Sequence, residues 1–230
     1  MAERGLLVFD MDGVLVDVSE SYREAIRATV HHFTGREVSH DLIQQYKNAG
    51  GWNNDWALSH KIINDLGVQA EYHAVVDYFQ HIFFGSNHDG FMRREKWLPA
   101  PGLLGRLQQR FALAIFTGRL RSEVEITLHR FVPDFHFDMI VPDDEVPNPK
   151  PAPDGLLLIR SRLKGDPAWY VGDTVDDARS SRAAGIPFIG IASPSSPSPQ
   201  ELSELLKKEG AVHVLANINE IESVLCAAPR

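Results

Sequence analysis

The chain has 230 residues, 43% of them hydrophobic, and a formal net charge of −8. That length and apolar content suit one large globular domain, or a core carrying a smaller insert, and argue against a disordered chain. The acidic balance without any basic block argues against nucleic acid or an anionic membrane as a partner, and a single cysteine, Cys226, excludes an internal disulfide and a cysteine-built metal cluster.

Met1-Ala2-Glu3-Arg4-Gly5 leads directly into an apolar run, and no stretch approaches transmembrane length, so a soluble cytoplasmic enzyme is expected. The run, Leu6-Leu7-Val8-Phe9, reads as a strand buried on both faces. It stops at Asp10, Met11, Asp12 and Gly13. Asp-Gly is a common turn pair, so a plain surface turn would account for part of this. Two carboxylates directly after a core strand nevertheless need a cation or hydrogen bonds to compensate them. Such a strand end can present a nucleophile and a proton donor to a phosphate.

After Asp17 the texture becomes helical. Ser19 or Ser21 is placed to cap a helix through Tyr22, Ala25, Ile26, Thr29 and Val30. Further helices are predicted over 39–48, 55–66 and 70–84, with no strand between them up to about Trp97. Within this block Asn48-Ala49-Gly50-Gly51-Trp52-Asn53-Asn54-Asp55-Trp56 makes a poor helix interior and a good shaped loop. It is either a helix-to-helix turn, with Asp55 as cap and the tryptophans in a small core, or a substrate-facing loop offering Trp52, Asn53 and Asn54 to a ligand. The histidine pair His31-His32 is expected to face solvent.

Leu98-Pro99-Ala100-Pro101-Gly102 ends the helical block. A helix through Leu103, Leu104 and Leu107 leads to a second buried strand, 111–116, which ends in Thr117-Gly118-Arg119. A hydroxyl and amides there could bind an anion, while Arg119 is expected in a salt bridge or in solvent rather than at the chemistry. Met139-Ile140-Val141 forms a short strand, and the acids Asp143, Asp144 and Glu145 beyond it read as surface. Lys150, between Pro149 and Pro151 and ahead of a helix beginning near Asp154, is placed to serve a phosphate as a point charge.

Trp169-Tyr170-Val171 is another strand, followed by Gly172-Asp173-Thr174-Val175-Asp176-Asp177 and a helix closing at Gly185. One aspartate can cap that helix; three exceed that need. Oxygen ligands with no histidine or cysteine set suit Mg2+. A strand at 188–191, a Ser-Pro connector at 193–199, a helix at 200–208 and a strand at 211–215 follow, and Asn219 is expected to cap a closing helix. Strands alternating with helices imply a parallel sheet, with ligands at the carboxyl ends of its strands.

Four segments in this order resemble the haloacid dehalogenase superfamily, in its subfamily I branch with a helical cap, like phosphoglycolate phosphatase and β-phosphoglucomutase. They are Asp10-Met11-Asp12-Gly13-Val14-Leu15-Val16-Asp17, Phe116-Thr117-Gly118-Arg119, Lys150-Pro151-Ala152-Pro153-Asp154 and Gly172-Asp173-Thr174-Val175-Asp176-Asp177. The resemblance implies an α/β fold: a Rossmann-like parallel core over 1–16 and 99–230, with an inserted all-helical cap domain over 17–98. It implies Asp10 as the nucleophile that forms an aspartyl-phosphate, and Asp12 as general acid and base. It places Mg2+ on an Asp10 oxygen, the Asp12 carbonyl and Asp173, with Asp177 supporting the metal directly or through water, and Asp176 facing solvent. Thr117, the Gly118 amide and Lys150 would bind the phosphoryl oxygens.

The expected activity is Mg2+-dependent hydrolysis of a small phosphate monoester by a monomer or homodimer. An acid at position 12 departs from the dehalogenases and the phosphonate-cleaving relatives, while sugar phosphomutases keep both aspartates and stay open. A phosphate sensor without turnover is the remaining alternative. The loop around Trp52 holds no lysine or arginine, which favours a neutral or hydroxyl-rich leaving group.

Overall fold

The computed structural model describes residues 4–87 and 89–225, so Met1-Ala2-Glu3 and Cys226 lie outside the described residues. The chain divides into two compact units, Met1–Val16 with Trp97–Arg230, and Asp17–Lys96.

The first unit is built on β1 (Gly5–Phe9), every residue of which is buried. The chain then runs through β2 (Val16–Asp17) into the second unit and returns along β3 (Lys96–Trp97). Beyond that, α5 (Leu103–Gln108), β4 (Phe111–Phe116), α6 (Arg121–Phe131) and β5 (Met139–Val141) alternate, followed by α7 (Asp154–Leu163) and β6 (Ala168–Gly172). The series closes with α8 (Val175–Ala184), β7 (Phe188–Ile191), α9 (Pro199–Lys208), β8 (His213–Leu215) and α10 (Ile221–Leu225).

Six strands form one parallel sheet in the order β5-β4-β1-β6-β7-β8. The unbroken apolar texture of β1 and β4 follows from that position, since helices cover both faces and no alternate residue meets water. Each aliphatic side chain buried there stabilises the fold by about 1.5–3 kcal/mol. The chain builds outward from β1 to β4 and β5, then crosses to β6, so strand order reverses beside β1. Phe9 pairs with Ile115 of β4 and Val171 of β6, which brings the residues that follow these three strands to one edge.

The second unit contains α1 (Tyr22–Thr34), α2 (His40–Ala49), α3 (Asp55–Asp65) and α4 (Tyr72–Phe84). Their apolar stripes meet in a core that includes Ile26, Val30, Ile62, Val75 and Phe79, all at most 1% exposed, and the Tyr22 and Phe83 rings lie 4.2 Å apart. His32 stacks on Tyr78 at 3.8 Å, so that half of the histidine pair is covered on one face. The ends of the unit are joined by the β2-β3 ribbon, a strand pair the sequence did not announce because two residues carry no period.

Several helix starts differ from expectation. Ser39 accepts from the Leu42 amide and caps α2 as its type suggests, but Ser21 sits at the start of α1 without a side-chain capping bond. Asn54, not Asp55, caps α3 through the Ala57 amide; Asp55 instead pairs with Lys47 at 2.7 Å. Near the end of the chain Asn217 makes the capping bond, to the Asn219 amide. Asn219 uses its own side chain to tie Ala100 and Leu98.

Candidate active site

Asp10 follows β1, Thr117 follows β4, and Asp173 follows β6, so one sheet edge carries all three. The Asp10 amide donates to the Val171 carbonyl at 2.7 Å, which holds the residue in the line of the sheet although the strand has ended. Lys150 reaches in from the proline-rich loop after β5, and its ammonium donates to Asp10 Oδ1 and Asp177 Oδ1, both at 2.7 Å. It is fully buried, and the Phe116 and Tyr170 rings lie 5.0 and 5.5 Å from it.

Asp177 is the third residue of α8 and is bonded by three residues, Thr174, Lys150 and Tyr170. With Thr174 it forms a reciprocal capping box: its Oδ2 accepts from the Thr174 hydroxyl and amide at 2.6 and 3.0 Å, and its amide donates to Thr174 Oγ1. Its Oδ1 accepts from Lys150 and, at 2.6 Å, from the Tyr170 hydroxyl. Burial pushes the Asp177 carboxyl up, but Lys150, Thr174 and Tyr170 outweigh this and hold it below the usual range. At Asp10 burial prevails: the carboxyl lies well above its ordinary value despite Lys150, with Asp177, Asp12 and Asp173 adding repulsion. The pair of carboxylates keeps the Lys150 ammonium charged against its own burial.

Close approach at two glycines shapes the site. Gly13 adopts φ 71°, and a Cβ there would lie 1.9 Å from Asp173 Oδ2. A Cβ on Gly172 would lie 2.5 Å from that of Asp177. Neither position has room for a side chain, which is what lets the two acids crowd the strand ends.

Carboxylate oxygens of Asp10, Asp173 and Asp177 lie within 4.8 Å of one another. Counting Asp12 beside them, four carboxylates face two cations, Lys150 and Arg119. A single divalent cation would offset that shortfall, and an all-oxygen donor set suits Mg2+. Asp177 is the most heavily engaged of the three by the bonds described, because Lys150, Tyr170 and Thr174 already occupy both of its oxygens.

Thr117 is buried, and its hydroxyl accepts from the Arg119 amide at 3.3 Å. The Gly118 amide has no hydrogen-bond partner among the described residues. Arg119 is in a salt bridge, as expected, but the partner is Asp12, at 2.6 Å, so it belongs to the site after all. Sequence reasoning also passed over Tyr170 and Thr174. A tyrosine inside a buried strand just before an acidic segment was the available signal, since its hydroxyl must find a partner. Two expectations are corrected. Asp176 is 2% exposed rather than facing solvent, being inside the first turn of α8. Asp143 is half-buried, which raises its carboxyl, and its amide donates to the Arg119 carbonyl, so it braces the loop after β4.

Trp52, Asn53 and Asn54 stand on the helical unit. The Trp52 ring meets Tyr46 edge-on at 6.3 Å, and Asn54 spends its oxygen on the α3 cap. Asn53 makes no side-chain hydrogen bond among the described residues. The Lys47–Asp55 pair, with both side chains largely buried, ties the two ends of this loop together.

Residues 7–191 match the family of haloacid dehalogenase-like hydrolases. The chain is 34% identical over 97% of its length to imidazoleglycerol-phosphate dehydratase of Phytophthora nicotianae, but it spans only 53% of that protein. Fructose-1-phosphate phosphatase YqaB of Escherichia coli is 26% identical, over 80% of this chain and 95% of the relative. Among solved structures, a haloacid dehalogenase-like protein from Agrobacterium tumefaciens superposes with a TM-score of 0.73 at 19% identity, covering 97% of this chain and 98% of the other, which shows the fold. No described helix is long and apolar enough to cross a membrane. The aspartates at the ends of β1 and β6, the lysine between them and the matched span agree: the chain belongs to the haloacid dehalogenase-like hydrolase family.

Proposed function

We propose that this chain is a Mg2+-dependent phosphomonoesterase acting on a small phosphorylated metabolite in the cytoplasm through a covalent aspartyl-phosphate. The observation that carries this reading is the convergence of Asp10, Lys150, Asp173 and Asp177 on one sheet edge, with more negative than positive charge. Asp10 is the nucleophile: its Oδ1 is anchored by Lys150, which fixes the direction of attack. Asp12 protonates the departing alcohol and then takes a proton from the water that hydrolyses the intermediate. Thr117, the Gly118 amide and Lys150 stabilise the phosphoryl oxygens in the transition state. Asp177 acts through Lys150, holding the ammonium at its post.

Asp10, the Asp12 carbonyl and Asp173 would hold the Mg2+, with Asp177 behind them. When bound, the ion supplies charge neutralisation for the phosphoryl group. The helical unit is the cap of this reading, and its Trp52, Asn53 and Asn54 contact the leaving group. Lys47 is neutralised by Asp55, so the loop offers no spare ammonium, in keeping with a neutral or hydroxyl-rich leaving group.

A phosphomutase is the second reading, favoured by the presence of both Asp10 and Asp12. Free phosphate is measured from a panel of sugar, polyol, nucleotide and amino-alcohol phosphates, with and without Mg2+ and with Asp10→Asn as control. An imidazole-bearing phosphate ester joins the panel because the 34% identical relative is named for one. Release that requires both Mg2+ and Asp10 supports the hydrolase. An isomerised sugar phosphate without free phosphate supports the mutase, and neither product from any ester counts against both.

A further inference from the structure

The carboxylate of Asp12 is held by a buried guanidinium. The Arg119 side chain is 1% exposed and that of Asp12 is 32% exposed. Arg119 Nε donates to Asp12 Oδ1 at 2.7 Å, and Nη2 lies 2.6 Å from the same oxygen in an ion pair. On its other side Arg119 Nη1 donates to the Thr127 hydroxyl of α6 at 2.8 Å, which fixes the guanidinium against a helix. Asp12 Oδ2 takes no hydrogen bond among the described residues. The charge-assisted bond and the ion pair both fall on one oxygen, which holds the carboxylate and leaves its two oxygens inequivalent.

We propose that Arg119 is the positioning residue of the general acid: it anchors Asp12 Oδ1 and thereby makes Oδ2 the oxygen that carries the proton. This rests on the reading of Asp12 given above. As the Asp10 carboxylate bonds to phosphorus and the ester P–O bond breaks, the proton on Oδ2 passes to the leaving oxygen, which departs as an alcohol. In the second half Oδ2 takes a proton from the water whose oxygen attacks phosphorus, the Asp10–phosphorus bond breaks, and phosphate leaves. Proton and electron pairs return to their starting places.

The test compares two esters on each variant. An alkyl phosphate from the panel needs its leaving oxygen protonated; p-nitrophenyl phosphate releases a stable phenolate and needs little help. A general acid supplies roughly 10²–10⁴-fold, felt mainly by the alkyl ester. Asp12→Asn should lower the alkyl-to-aryl ratio of kcat/KM by about a hundredfold, and Arg119→Ala by about tenfold or more. The double variant should fall no lower than Asp12→Asn alone. Because both rates come from one sample, the ratio is independent of the fraction folded. If Arg119→Ala yields no soluble protein, Thr127→Val keeps the guanidinium but removes the α6 hydroxyl bonded to Nη1, and should shift the same ratio in the same direction. Equal losses on both esters in the Arg119 or Thr127 variant, beside a normal drop for Asp12→Asn, overturn the positioning role and leave the acid role standing. An unchanged ratio for Asp12→Asn removes the acid role and this proposal with it.

Discussion

Charge is handled in opposite ways at the sheet edge and in the helical unit. At the edge, Lys150 bridges Asp10 and Asp177 with all three side chains at most 6% exposed. In the helical unit the ion pairs lie outside: Arg27 with Glu24, and Lys61 with Asp65, have side chains between 27 and 41% exposed. An exposed pair contributes about 0–1 kcal/mol, whereas taking charges out of water costs several kcal/mol that pairing only partly returns. A fold has no need of a buried excess of carboxylates, so the contrast supports the proposal that the chemistry lies at the sheet edge. Lys47–Asp55 departs from this pattern inside the helical unit, as a sheltered pair at the base of the Trp52 loop.

Substitutions at the two places should separate accordingly. Asp10→Asn should cut phosphate release by roughly a thousandfold or more in a steady-state assay. It should melt no lower than the parent in metal-free buffer, because burial already disfavours its charge. Lys150→Met leaves two buried carboxylates facing each other, and should cost roughly 3–5 kcal/mol in denaturant unfolding along with activity. Asp173→Asn should raise the Mg2+ concentration giving half-maximal rate by about 10–100-fold, read from a metal titration. In the loop, Trp52→Ala should lower kcat/KM for the best substrate by about 3–10-fold with the melting point little changed; an unchanged kcat/KM would remove the loop from recognition.

The smallest effect belongs to a surface pair. Burial lifts the Glu24 carboxyl, but bonds from His40 and Arg27 outweigh it and lower the group below its ordinary value. A lowered carboxyl contributes stability above its unfolded value, about 4.3, and loses it as pH falls through the folded value. Glu24→Gln should therefore lower Tm by about 1–3 °C at pH 7, a difference that shrinks below about pH 4.

The core strands and the edge acids were legible because a parallel strand covered on both faces must be apolar throughout, and an acid ending such a run stands out. What stayed hidden depends on distance or on competition between neighbours. Nothing local to Thr117-Gly118-Arg119 says that Arg119 will meet Asp12, more than a hundred positions earlier in the chain. Asn54 and Asp55 are both good caps, and so are Asn217 and Asn219; packing and ion pairing decide between them. Tyr170 looked like core filling, and only the fold brings Asp177 to its hydroxyl.

The ribbon of β2 and β3 bears on how the chain reaches this fold. Gly5 pairs with Phe111, so the central strand must find a partner on the far side of the whole inserted unit. Closing a loop costs entropy that grows by about 0.6 kcal/mol for each doubling of its length. Once the helices have condensed and Asp17 and Lys96 are joined through the ribbon, β1 and β4 are separated by a short connection rather than a long flexible one. Local helical contacts form early and long-range parallel pairing late. An insert whose ends are held together should shorten the closure that β1 and β4 require, and loosening the ribbon should slow their assembly even where the finished sheet is just as stable.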